Sequence, residues 1–107
     1  MSGEFTLLVT VPIKPGAEAE YLEILQPVLD ATRHEPTFLG TTVHRAADDP
    51  GLFILYETWR DRADFFAVQR HRPYRAEHES RLTGLLRSPR TMVVLETLRI
   101  DSAQSAG

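Results

Sequence analysis

A chain of 107 residues with 12 basic and 15 acidic side chains, net charge -3, has length for one core and no long run of one sign. That excludes the electrostatic footprint of a nucleic-acid or anionic-membrane binder. The absence of cysteine removes disulfides, thiolate metal ligands and cysteine nucleophiles. The start Met-Ser-Gly-Glu-Phe carries no basic leader region, and no apolar stretch is long enough to span a membrane, so a cytoplasmic location is expected.

Phe5, Leu7, Val9, Val11 and Ile13 alternate with their neighbours at the period of a strand, which Lys14-Pro15-Gly16 ends. Tyr21, Leu22, Leu25, Val28, Leu29 and Thr32 then recur at three and four residues and predict a helix, kinked near Ile24 to Pro27 and stopping before Pro36. Thr41, Thr42 and Val43 mark a second strand within Phe38 to Arg45. Asp48-Asp49-Pro50-Gly51 turns it back into a third, Leu52 to Trp59, apolar on both faces through Tyr56. Asp61 is the expected cap of a short helix with Ala63, Phe65, Phe66 and Val68. After Arg72-Pro73, a further helix places Tyr74, His78, Leu82 and Leu85 on one inward stripe, with Arg75, Glu77 and Glu79 elsewhere on its circumference. Thr91 to Ile100 reads as the last strand, and residues 101–107 as a disordered tail after a single domain of residues 1–100.

The order β-α-β-β-α-β is that of a ferredoxin-like α+β domain, a four-stranded antiparallel sheet with helices on one face. The other face is then bare and apolar, and a second copy is its simplest cover, so a homodimer through the sheet faces is expected.

On the third strand Phe53, Leu55, Glu57 and Trp59 share a face. Trp59 is either a stacking wall for a planar ligand or core filling with its indole N–H bonded, and Glu57 is either a base in an apolar pocket or a structurally paired acid. The four histidines have no metal-ligand spacing, so no metal site is expected. His78, inward beside Tyr74, suits a base next to a phenol donor or an ordinary satisfied histidine, and His44 is a second candidate base whose facing depends on register. His34 and His71 fall at helix ends, where the dipole accounts for them. No phosphate loop, nucleophile elbow or glycosidase-like acid pair is visible.

The segments Val11-Pro12-Ile13-Lys14-Pro15-Gly16, Thr32-Arg33-His34-Glu35-Pro36, Phe53-Ile54-Leu55-Tyr56-Glu57-Thr58-Trp59 and the Pro73-Tyr74 helix start, in this order, resemble the antibiotic biosynthesis monooxygenase family of small dimeric α+β barrels. The resemblance runs from about Phe5 to Leu98 and implies a dimeric fold, a small aromatic substrate, dioxygen as co-substrate and no cofactor. Within it, Trp59 stands at the family's pocket tryptophan and Glu57 at the acid before it. The sequence departs where many members carry a histidine pair: Gln69 stands four residues before Pro73, and Arg72-Pro73-Tyr74 replaces Ser-Pro-His. Gln69 orients a ligand but takes no proton, so the base falls to His78, His44 or Glu57. The haem-degrading branch carries a pocket asparagine where this chain has Val9 and Thr10. The resemblance thus implies an oxygenase of a phenol or quinol. Trp59, Phe65, Phe66 and Leu82 would form the wall, Tyr74 and Gln69 the donors, and His78 the base. A non-catalytic small-molecule binder, or an isomerase or cyclase on the same scaffold, is the alternative.

Overall fold

The computed structural model describes residues 3–104. Strands β1 (Phe5–Pro12), β2 (Phe38–Arg45), β3 (Leu52–Trp59) and β4 (Thr91–Leu95) form one sheet in the order β2-β3-β1-β4, and every pairing is antiparallel. Helices α1 (Glu18–Thr32), α2 (Arg62–Ala67) and α3 (Pro73–Leu82) complete the ferredoxin-like α+β fold, with short 3-10 turns at Gln69–His71 and Thr83–Leu85. The alternation seen in the sequence sets the layers. Leu7, Val9, Val11, Phe53, Leu55 and Trp59 are buried on the inner face, where Tyr21, Ile24, Leu25, Phe65 and Leu82 join them in one core. In-register pairs such as Val9↔Leu55 and Phe5↔Trp59 hold those side chains on a common face.

Local chemistry explains the element ends. The Asp61 side chain accepts the backbone N–H of Asp64 at 3.0 Å and caps α2. Pro73 opens α3, where a missing N–H costs nothing. The β2–β3 turn packs against the end of β1: Ile13 N–H donates to the Gly51 carbonyl at 2.7 Å, and a Cβ at Gly51 would lie 2.7 Å from the Ile13 carbonyl oxygen. Only glycine fits there.

Three details differ from the expected elements. Leu22 is 43 % exposed and Ile24 takes its place in the core, because Leu22 lies about 100° around the helix from Tyr21 whereas Ile24 and Leu25 fall one turn on. β4 ends at Leu95, not Ile100. Its partner β1 starts at Phe5 and the last cross-strand pair is Thr6↔Leu95, so Glu96 onward has no strand to pair with in this chain. Leu98 and Ile100 are consequently exposed. Of the tail expected to be disordered, residues 101–104 are exposed and without regular structure, and residues 105–107 lie outside the described residues. Arg75 and Glu79, expected away from the inward stripe of α3, both line the cavity described next, with Glu79 half-exposed at its mouth. Among the described residues, no helix is long and apolar enough to cross a membrane.

Candidate functional site

The sheet and the helical layer do not close completely. A cavity of about 310 Å³ remains between them, with Leu7, Val9 and Val11 of β1 as part of its floor and side chains of α1 and α3 as its roof. That size suits a ligand of roughly two to three fused rings.

His78 lines the cavity from α3. Its Nδ1 lies 3.2 Å from the backbone carbonyl of Ile24. A carbonyl oxygen only accepts, so Nδ1 carries the hydrogen and Nε2 holds a lone pair. Burial pushes the His78 imidazole below its ordinary 6.5, with Arg90 and Arg75 acting in the same direction and the Ile24 hydrogen bond and Glu79 opposing it. The neutral ring is therefore the resident form at pH 7.

Tyr21 faces it from α1, with ring centroids 6.4 Å apart. The ring packs on Phe53 at 4.8 Å, and the residue is 1 % exposed yet lines the cavity. No protein group among the described residues bonds its hydroxyl. Burial, reinforced by Glu57 and Glu79 and opposed by Arg90, holds the phenol well above its ordinary value, so it stays a donor. Tyr21 reads in the sequence as one more apolar position of the helix stripe; only its hydroxyl, ending beneath α3, distinguishes it.

The candidates named from sequence divide into two sets. Phe65, Leu82, Glu57 and His78 line the cavity. The Glu57 carboxylate accepts the Trp59 indole N–H at 3.1 Å. Trp59 itself is 0 % exposed and lies behind the wall, against Phe38 and Phe65, so it packs as core with its N–H satisfied. Phe66 stacks on Phe5 outside the cavity lining. Gln69 is buried, and its amide donates to Asp64 at 3.2 Å, an oxygen that also receives the Thr37 hydroxyl at 2.9 Å. The Tyr74 hydroxyl donates to Glu35 at 2.8 Å, beside the Arg72–Glu35 ion pair at 3.1 Å, and ties α3 to the loop after α1. His44 pairs with Ile54 on the opposite face of the sheet and is exposed. Register thus puts it away from the cavity.

Charged groups missed in the sequence complete the lining. Arg70, Arg75, Arg90 and Glu79 join Glu57 there, and Arg90 and Glu79 form a two-pronged ion pair. No cluster of three or more metal-ligating side chains occurs among the described residues.

The ferredoxin-like domain thus holds a cavity between its sheet and its helices whose lining joins apolar and charged side chains to the His78 imidazole and the Tyr21 phenol. Residues 4–80 match the family model for antibiotic biosynthesis monooxygenase, and the chain belongs to that family. The protein GME11364 of Pestalotiopsis microspora, which bears the name of a monooxygenase, is 29 % identical over 82 residues, covering 76 % of this chain and 68 % of that protein. Among solved structures, an antibiotic biosynthesis monooxygenase-type protein from Nitrosomonas europaea superposes with a TM-score of 0.83 at 20 % identity, covering 92 % of this chain and 93 % of its own. SnoaB, a cofactor-independent oxygenase from Streptomyces nogalater solved as its N63A mutant, superposes with a TM-score of 0.80 at 18 % identity, covering 92 % of this chain and 96 % of its own. At these identities the superpositions establish the shared fold.

Proposed function

We propose that this protein is a cofactor-independent monooxygenase of an aromatic phenol or quinol, with the reaction carried out in the cavity between sheet and helices. The observation that carries the reading is His78: a neutral imidazole whose Nδ1–H is committed to Ile24 and whose Nε2 is left to accept a proton. The cofactor-independent oxygenase SnoaB, similar in fold, supports the same class of chemistry.

The phenolic proton passes to Nε2, and the resulting imidazolium stands beside the phenolate. The Tyr21 hydroxyl is available to donate to the phenolate oxygen. The electron-rich anion passes one electron to dioxygen, and the superoxide and carbon-centred radical combine into a C–O bond. The His78 imidazolium returns its proton to the resulting peroxide; the O–O bond of the hydroperoxide then breaks as the carbon loses its remaining hydrogen as a proton and becomes a carbonyl, and the departing hydroxide takes up that second proton and leaves as water. Counted from the keto tautomer of an anthrone-type phenol, one CH2 and one O2 thus become one C=O and one H2O, and the substrate supplies all the reducing electrons.

The reading includes a homodimer through the sheet. Leu8, Ile54, Tyr56, Val93 and Leu95 lie on the face that no helix covers, and Tyr56 and Val93 are exposed there.

Oxygen uptake with a panel of anthrones and hydroquinones tests the reaction. Wild type should consume oxygen with at least one member, and His78→Ala should slow that turnover by about 10²- to 10⁴-fold. Tight binding of the same compounds without any uptake would overturn the reading in favour of a non-catalytic binder.

A further inference from the structure

The cavity carries an uncompensated cation. Arg75 stacks its guanidinium over the rings of Trp59, Phe65 and Tyr74 at 5.4, 5.7 and 5.8 Å. Its Nη2 makes one long hydrogen bond, 3.3 Å to the Thr32 hydroxyl, and its Nε is buried without a partner. No carboxylate lies within ion-pair distance of it among the described residues. Arg70, at the exposed rim, leans on the Phe66 ring at 5.5 Å and likewise has no acidic partner. The lining sets three guanidiniums, Arg70, Arg75 and Arg90, against two carboxylates, Glu79 paired with Arg90 and Glu57 bonded to the neutral Trp59 indole, which leaves one positive charge in excess.

A guanidinium held within about 6 Å of three aromatic rings is preorganised, and one partly withdrawn from water without an ion-pair partner is unfavourable. Nη1 makes no hydrogen bond to the described residues and Nη2 only the long one to Thr32, so that edge is free to take a planar carboxylate with two parallel hydrogen bonds. Arg75 and His78 are three residues apart on α3, so they share a helix face. We infer that the ligand is an aromatic acid: its carboxylate docks on Arg75, with Arg70 at the rim, while its ionisable hydroxyl lies toward His78 and Tyr21. This inference rests on the cavity being the substrate site, and it narrows the substrate class from any phenol or quinol to one bearing a carboxylate.

Calorimetric titration under anaerobic conditions separates the binding claim from the oxygenase claim. The probes are 6-hydroxy-2-naphthoic acid and its methyl ester, alike in shape and different in charge. Wild type should bind the acid about tenfold or more tightly than the ester, with the preference shrinking as salt is raised. Arg75→Gln should erase that preference while changing ester affinity less than about threefold. Arg70→Gln, at an exposed position with little bearing on folding, should reduce the preference by about two- to fivefold, and it keeps the test decisive if Arg75→Gln folds poorly. Equal affinity for acid and ester in wild type, or a preference that survives both substitutions, would overturn the inference. Acid preference without oxygen uptake would defeat the monooxygenase reading and leave the anion site standing. Uptake with neutral quinols and no acid preference would do the reverse.

Discussion

The Tyr21 hydroxyl and the His78 imidazole do different work in the same space, and substitution separates them. Tyr21→Phe removes a donor with no protein partner. It should lower kcat about a hundredfold while leaving the urea midpoint within about 0.5 kcal/mol of wild type. A loss of stability without a loss of rate would show the hydroxyl to be structural. His78 is held below its ordinary 6.5 by burial, so the folded protein binds the proton less readily than the unfolded chain. Stability from this group is complete above the unfolded value and falls as pH drops from about 6.5 through the lowered folded value. The groups facing the ring from the packed elements are Tyr21, Arg75, Glu79 and Arg90. Denaturant titrations between pH 7.5 and 5 should show that decline in wild type and a weaker one in His78→Gln, and the acidic limb of kcat/KM should lie below 6.5.

At the scale of elements, α3 depends on its tie to the loop after α1. Glu35 receives both the Tyr74 hydroxyl and the Arg72 guanidinium, so Tyr74→Phe should cost about 1.5 kcal/mol in urea unfolding. Because Tyr74 stands outside the main cavity lining, its kcat should change less than that of Tyr21→Phe. The strands β1 and β3 and the Asp61 cap were legible in the sequence because their signals are local: a period of two in β1, an apolar run after a turn signal in β3, and an acid three residues before the N–H it caps. The end of β4 was not, since it is set by where β1 begins, some ninety residues away in the chain. Arg75 and Glu79 were placed off the inward stripe of α3, because charge on a helix usually lies away from the core. What places them inward is that the cavity leaves room for them and that aromatic rings and Arg90 receive them.

For the whole molecule, the ferredoxin-like order was readable from the succession of periods, and the family resemblance agreed with it. The cavity was not, because it arises from how two layers fail to meet, which no stretch of sequence encodes. Register decided the rest: a shift of one residue separates His44 from the cavity face, and Trp59, on the correct face, is covered by Phe38, Phe65 and Arg75. The outer sheet face is expected to bury itself against a second copy. Sedimentation at low concentration should return a dimer for wild type and a monomer for Ile54→Lys, because a charge at the centre of an apolar contact is left without a partner. A wild-type monomer would remove the dimer from the account.

The central claim is that substrate carbon receives one atom of dioxygen in this cavity without a cofactor. Turnover of an anthrone under ¹⁸O₂, followed by mass spectrometry of the quinone, tests it directly. The account predicts one ¹⁸O atom in the new carbonyl, water as the fate of the second atom, and loss of labelled product in His78→Ala. An unlabelled carbonyl, or oxygen released entirely as hydrogen peroxide, would contradict it.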